Sequence, residues 1–307
     1  MKPTLKKIDG ILLLNKPLEM TSNGALQRIK RLFGAKKAGH TGSLDPLATG
    51  MLPICFGEAT KVSQFLLDSD KRYHIKVKLG MKTTTGDAEG EVIATRPVLH
   101  MNREKIQIVL DQFLGLISQI PPMFSAIKHQ GKPLYELARQ GLEVERKPRE
   151  VFIYSSQLVS FEDETFVFDV HCSKGTYIRT LVEDIGEVLG CGAYVAGLHR
   201  TSVTPYQQNK MFGLNELETL LQQSGFDALA KCLLPVDTSV QHLPAVQLST
   251  SAVFYMRTGQ AVRVLYAPDA GFVRIFGNDG QFMGIGEILE DGRVAPRRLI
   301  IPCVSVI

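Results

Sequence analysis

The spacing of apolar residues along the chain predicts strands of two kinds. Four consecutive apolar residues at positions 11–14 predict a short buried strand. Residues 72–79 alternate, with Tyr73 and three aliphatic residues on one face and histidine or lysine on the other, which predicts a half-buried strand. Similar patterns predict two successive strands at about 150–161 and at 165–172.

Apolar residues spaced three and four apart predict amphipathic helices, most of them stopped by a glycine. We expect these helices over residues 22–33, 58–67, 102–114 and 176–189, with a shorter one from Pro133 to Gly141. Thr21 or Ser22 can cap the first of them. Helices and strands do not alternate regularly, which favours an α+β fold with a mixed, mostly antiparallel sheet flanked by helices.

The sequence changes character twice, and these changes suggest domain boundaries. Residues 125–150 are polar and basic and look like an insertion at about 122–152, or else a solvated loop. Beyond residue 244, short strands at 271–276, 281–289 and 293–301 are separated by turn signals, which is consistent with a small β-barrel. We therefore expect a main domain over residues 1–244 and a small domain over residues 245–307.

Composition limits the classes of function. The 307 residues are 44% hydrophobic and 21% charged, as in ordinary globular proteins. The net charge is only +4, yet residues 1–40 hold nine Lys/Arg against Asp9 and Glu19. That asymmetry indicates either a polyanionic partner or a solvated basic face. The five scattered cysteines favour a reducing cytoplasm over a disulfide framework or a zinc site, and no apolar run is long enough to span a membrane.

Residues 39–50 (G-H-T-G-S-L-D-P-L-A-T-G) present one carboxylate, Asp45, among glycines, a proline and small residues. Pro46 restricts Asp45 to an extended conformation, and the glycines allow close approach of another molecule. An isolated Asp-Pro pair is more often a simple turn. The flanking sequence points instead to a loop that presents a single acid.

Several ordered motifs resemble those of the TruB family of tRNA pseudouridine synthases. The similarity covers residues 10–205 and is weaker beyond, where the last sixty or so residues resemble PUA-like RNA-binding domains. The motifs are L-L-N-K-P (13–17), T-S-N (21–23), G-H-T-G-S-L-D-P-L-A-T-G-M-L-P (39–53), K-R-Y-H (71–74), T-G-D-A-E-G (85–90), S-K-G-T-Y-I-R (173–179) and G-L-H-R-T (197–201). The resemblance implies conversion of uridine 55 in the tRNA T loop to pseudouridine, with the insertion acting as a thumb that closes over RNA.

The resemblance implies three catalytic residues, and each also has a simpler structural explanation. It makes Asp45 the catalytic aspartate, Tyr73 the ring that stacks on the extruded uracil, and Arg179 the partner of Asp45. From the residues alone, Tyr73 is equally a core aromatic with a bonded hydroxyl. Likewise, Arg179 is equally a surface partner of Glu183 at i,i+4.

The resemblance also implies five substrate-binding residues: His40, Lys16, Asp87, Tyr177 and Leu198. It makes His40 the group that fills the gap left by the flipped base, and it places Asp87 and Leu198 near the pocket. The residues alone allow His40 to be a capping residue, Asp87 a turn residue and Leu198 a core residue.

Moving a glycosidic bond from nitrogen to carbon needs a nucleophile or base and a dry site, but no metal or redox cofactor. We therefore expect no cofactor and no metal. The resemblance implies the T arm of tRNA as partner, and we also expect no membrane association and a monomer. Two other classes of protein stay open. A glycosidase or hydrolase would need a second carboxylate or a metal near Asp45, and an RNA-binding module would need only the basic surface.

Overall fold

A computed structural model describes residues 5–301 of the chain. Its contacts group the chain into two compact units. Among the described residues, the first contains residues 5–45, 51–68 and 204–301, and the second contains residues 46–50 and 69–203. The predicted domain boundary at residue 244 stays a prediction, and Lys2 and Cys303 lie outside the described residues.

Strands and helices are numbered along the chain. The strands are β1 (Gly10–Lys16), β2 (Ala38–His40), β3 (Ala48–Phe56), β4 (Lys71–Leu79), β5 (Met81–Thr83), β6 (Val92–Thr95), β7 (Gly115–Gln119), β8 (Lys128–His129), β9 (Lys132–Pro133), β10 (Arg149–Glu162), β11 (Thr165–Cys172), β12 (Ala193–Val203), β13 (Phe212–Gly213), β14 (Ala245–Gln247), β15 (Gly271–Phe276), β16 (Phe282–Ile288) and β17 (Val294–Leu299). The α-helices are α1 (Ser22–Leu32), α2 (Ser63–Leu67), α3 (Arg103–Gln112), α4 (Leu134–Arg139), α5 (Ile178–Leu189), α6 (Leu214–Ala230) and α7 (Thr250–Arg257), and two 3-10 helices span Gly57–Lys61 and Val236–Val240.

The second unit is built on the strand order β12-β4-β11-β10-β7, in which every neighbouring pair is antiparallel. The start of β3 adds to β12 in parallel, which makes the sheet mixed. The odd-numbered residues of β4, including Tyr73, are buried, as its alternation predicts. Helix α3 packs against β10 and α5 packs against β12. The α+β fold with a mixed, mostly antiparallel sheet is therefore confirmed.

In the first unit, β1 lies between β13 and β3 in the strand order, and β2 pairs with β3 antiparallel. The end of the chain forms a second sheet in the order β14-β15-β16-β17. This confirms a small β unit, but among residues 5–301 its outermost strands β14 and β17 are not paired with each other, so we find a four-stranded sheet where we expected a closed barrel. Its Ile285 and Ile300 are buried against Val62.

Several local predictions are confirmed and others need correction. Thr21 caps α1 through its side-chain oxygen, as one of the two expected caps, and Asn102 is found to cap α3 in the same way. The helix expected over 58–67 is broken at Val62, which separates a 3-10 turn from α2. The polar insertion contains the hairpin β8–β9 as well as the expected α4. Within residues 5–301, no helix is both long enough and apolar enough to cross a membrane.

Candidate active site

Asp45 lies in the loop between β2 and β3 and is half-buried. Helix α1 holds this loop through Ser22, whose hydroxyl accepts a hydrogen bond from the N–H of Leu44 (2.7 Å) and donates one to the Leu44 carbonyl (2.9 Å). The helix cap is Thr21, which accepts from the N–H of Gly24 at 3.0 Å. The two adjacent hydroxyls thus have separate roles, and Ser22 fixes the backbone one residue before the carboxylate.

The chain after Asp45 is fixed by pairing of β3 with β12. Thr49 Oγ1 lies 2.8 Å from Nδ1 of His199. Gly50 has φ of 99°, and a Cβ at this position would lie 2.3 Å from the carbonyl oxygen of Arg200, so only glycine allows the strands to approach this closely. Burial, together with the nearby His74, lowers the pKa of His199.

Tyr73 lies on the buried face of β4, directly opposite Arg200 of β12. Its exposed fraction is 9%, and that of Arg200 is 1%. Leu198 lies opposite Ile75 in the same pair of strands and is half-buried, so its place near a pocket stays a prediction. Burial of Tyr73 fits both a core aromatic and a ring at the edge of a pocket, so its catalytic role stays a prediction.

Arg179 is the second residue of α5 and is 8% exposed, so it is a buried residue and not a surface one. Its guanidinium donates to the carbonyl oxygens of Thr85 (3.1 Å) and Phe124 (2.7 Å). It also lies 3.5 Å from the carboxylate of Asp87. Phe124 belongs to the insertion, so Arg179 ties the start of that segment to the T-G-D turn.

Asp87 is 2% exposed and has more contacts than a simple turn residue needs. Its Oδ1 accepts hydrogen bonds from the Thr85 hydroxyl (2.5 Å) and from the N–H of Glu89 (3.1 Å). Its other oxygen faces Arg179. The turn explanation is therefore correct but incomplete, because the same carboxylate also orients a buried arginine.

Tyr177 is the residue before α5 and is held through its backbone. The side-chain amide of Gln119 accepts from the Tyr177 N–H (3.0 Å) and donates to its carbonyl (3.3 Å). These two hydrogen bonds fix the backbone that carries the Tyr177 ring, two residues before Arg179. A contact between this ring and substrate stays a prediction.

Lys16 and His40 belong to the first unit. Lys16 is fully buried, and its ammonium donates to the carbonyls of Pro17 (2.8 Å) and Met20 (2.5 Å). His40 is half-buried in β2, opposite Ile54 of β3. Lys16 thus organises the turn before α1, and binding of substrate by either residue stays a prediction.

Sequence reasoning missed four residues that position the site: Ser22, His199, Gln119 and Arg200. Each acts on a residue distant in sequence, so local spacing gives little signal. Ser22 is the exception. Thr21 and Ser22 both carry a hydroxyl at the start of α1, and the helix cap needs only one of them, so the other is available for a different partner. Within residues 5–301, no group of three or more His, Cys, Asp or Glu side chains is arranged to hold a metal ion.

Three family models together match nearly the whole chain. The N-terminal domain of the TruB family of pseudouridylate synthases matches residues 30–178. The C-terminal domain of tRNA pseudouridylate synthase B matches residues 179–241, and the C-terminal domain of pseudouridine synthase II TruB matches residues 244–300.

Curated relatives and solved structures agree with these matches. The chain is 55% identical to the tRNA pseudouridine synthase B of Coxiella burnetii over 96% of both chains, and 55% identical to that of Pseudomonas fluorescens over 98% of both. A crystal structure of a Cbf5-Nop10-Gar1 complex is similar with a TM-score of 0.72 and 26% identity, over 96% of this chain and 84% of the other. These likenesses agree with the Asp45 loop and the ordered motifs, and they show that the chain belongs to the TruB family of pseudouridylate synthases.

Proposed function

We propose that this protein converts uridine 55 in the T loop of tRNA to pseudouridine, and that Asp45 is its catalytic carboxylate. The relatives named as tRNA pseudouridine synthases support tRNA as the substrate. The observation that carries the role of Asp45 is the double anchoring of its loop, by Ser22 before the carboxylate and by Thr49 and Gly50 after it. A carboxylate that must meet one carbon atom needs such fixed placement.

The reaction breaks the bond from ribose C1′ to uracil N1, turns the base and joins C1′ to C5. A proton is lost from C5 and one is gained at N1, so that the product is an isomer of the substrate. Asp45 acts as a nucleophile or base at an electron-poor carbon. Tyr73 stacks on the uracil, and its hydroxyl is placed for proton transfer. No step needs an oxidant or a metal, since the base and the sugar are rejoined within one molecule.

Uridine in a folded T arm must be extruded before it can react. Extrusion costs a few kcal/mol, and stacking on an aromatic ring returns about 1–3 kcal/mol. His40 fills the gap in the RNA, while Lys16, Asp87, Tyr177 and Leu198 border the bound nucleotide. The insertion closes over the RNA and residues 245–307 add a peripheral RNA contact. The enzyme acts as a monomer in the cytoplasm.

Incubation with an unmodified tRNA transcript, followed by chemical mapping of pseudouridine, tests the proposal. We expect modification at position 55 alone, unaffected by chelator. Tyr73→Phe should bind tRNA normally and turn over slowly, whereas Tyr73→Ala should lose both properties. Release of free uracil, or activity that chelator abolishes and metal restores, would favour a hydrolase instead. Binding without any modification would favour an RNA-binding module.

A further inference from the structure

Three aromatic side chains form a continuous row on the solvent-facing side of the sheet in the second unit. The rings of Phe152 and Tyr154 in β10 have centroids 4.9 Å apart, and those of Tyr154 and His171 are 4.6 Å apart. Phe152 is 40% exposed and Tyr154 is 47% exposed. These rings, here called the aromatic row, are therefore not part of the core, to which β10 contributes Val151 and Ile153.

The aromatic row extends across neighbouring strands. Leu116 of the edge strand β7 lies directly opposite Phe152 and is 62% exposed. At the other end, Arg72 of β4 lies directly opposite His171. Because directly opposite residues share a face of a sheet, the row is apolar at the edge strand and ends at a cation. Tyr73, the next residue along β4, points to the buried face.

A line of basic side chains meets the row at Arg72 and continues along the same face of β4. The alternation of this strand gives His74, Lys76 and Lys78 the same outward direction. His74 pairs with Asp169 (2.6 Å) and Lys78 with Glu164 (3.0 Å). Among the salt bridges of residues 5–301, Arg72 and Lys76 have no acidic partner, so this line keeps a positive excess.

Exposed aromatic rings can bind the base of a nucleotide, and a nearby line of cations can bind its phosphate. Bases of any sequence stack on aromatic side chains, and phosphates are neutralised by Arg and Lys. We propose that the aromatic row binds single-stranded nucleotides of the RNA substrate, with their phosphates on the β4 cations, at a place separate from the uridine that reacts. This proposal rests on the proposed function, since it takes RNA as the partner.

The surroundings of His171 support an uncharged stacking surface. Burial and the neighbouring Arg72 both lower the pKa of His171, although Asp70 opposes them. The imidazole is thus kept neutral near physiological pH, where a flat π face suits stacking. The Tyr154 hydroxyl is 3.4 Å from the Asp70 carboxylate, which limits the orientations of that ring.

The absence of tryptophan from the whole chain allows a direct test. Tyr154→Trp places a single tryptophan, which can be excited selectively over tyrosine, in the aromatic row. Val159→Trp is the matched control, since Val159 is in the same strand and is 46% exposed. Adding unmodified tRNA, or a single-stranded RNA oligomer, should quench the first variant through base stacking and leave the second unchanged. Phe152→Ala should weaken tRNA binding roughly tenfold, and Val159→Ala should not.

Pseudouridine formation by each variant separates this proposal from the proposed function. If the Tyr154→Trp enzyme binds and modifies tRNA without quenching, and Phe152→Ala binds tRNA as wild type does, the aromatic row does not contact RNA. Spectral changes that depend on protein concentration, rather than on RNA, would assign the surface to a protein partner and overturn the proposal. If the wild-type enzyme neither binds nor modifies tRNA, the proposed function itself fails.

Discussion

The guanidinium of Arg179 lies 3.5 Å from the carboxylate of Asp87, and both side chains are buried. The same guanidinium donates to two carbonyl oxygens, one in the T-G-D turn and one in the insertion. A planar group with several donors can satisfy three acceptors in different directions at once. Arg179 therefore holds two segments of the second unit in place beside the start of α5.

Arg179→Lys keeps the charge but cannot make these contacts together, so we expect a large loss of turnover. Leaving part of a buried ion-pair network unsatisfied costs about 3–5 kcal/mol, some of it in stability. Arg103→Lys is the control, because Arg103 is exposed and donates to the carbonyl of Val159. Steady-state kinetics and thermal melts measure both effects. Normal turnover of Arg179→Lys would contradict a role for the guanidinium geometry.

Ser22→Ala removes both hydrogen bonds to Leu44 and leaves buried backbone groups unsatisfied next to Asp45. Each such group costs about 1–3 kcal/mol. We expect kcat to fall at least several-fold with KM little changed, because the carboxylate is displaced while the RNA contacts remain. Ser63→Ala removes a comparable hydroxyl, which bonds Thr60 at 2.9 Å, and should leave kcat unaltered. Equal kcat for wild type and Ser22→Ala would show that this anchor is dispensable.

Gly50→Ala should prevent the parallel pairing of β3 with β12. The new methyl group would meet the Arg200 carbonyl at 2.3 Å, in addition to the strain of a positive φ. Gly34→Ala is the matched control, since its φ is 59° and nothing lies within 4 Å of the added carbon. Its strain alone is worth about 1–2 kcal/mol. Melting temperatures should fall far more for Gly50→Ala, and similar values for the two variants would contradict the close approach.

His199 should make the protein less stable in mild acid. Its pKa in the folded protein lies below the ordinary 6.5, because burial and His74 disfavour the charged ring. The unfolded chain therefore binds more protons just below pH 6.5, so stability is full above that pH and is lost as the pH falls. His171 and His242 shift in the same direction.

His199→Asn keeps a polar atom near Thr49 but does not titrate. Urea unfolding at a series of pH values between about 5 and 8 should therefore show a shallower acid loss for this variant than for wild type. The same pH dependence in both proteins would mean that His199 is equally protonated in the folded and unfolded states.

Local sequence patterns correctly predicted the strands and helices whose signals lie within a few residues. The alternation around Tyr73 predicted β4 and its buried face, and Asn102 and Gly190 marked helix ends correctly. Strand β12 was missed, because Gly197 and the polar residues after it do not alternate in hydrophobicity. Its buried Arg200 is explained only by its neighbours in β3 and β4.

The family resemblance located the Asp45 loop and Arg179, but the contacts of these residues needed the structure. Asp87 and Arg179 are far apart in sequence, and their meeting depends on how the T-G-D turn packs beside α5. Ser22 and Leu44 are likewise joined only by the fold. The resemblance thus proposes which residues carry the chemistry, whereas the contacts that hold them depend on tertiary packing.

Asp45→Asn, assayed by pseudouridine mapping on unmodified tRNA alongside Ser43→Ala, is the decisive comparison. Asparagine keeps the size of the side chain but cannot act as nucleophile or base, so we expect no detectable pseudouridine. We expect tRNA affinity close to wild type, because phosphate contacts and stacking supply most of the binding. Ser43→Ala, an exposed change in the same loop, should retain activity. Turnover of Asp45→Asn within about tenfold of wild type would show that Asp45 is not the catalytic group.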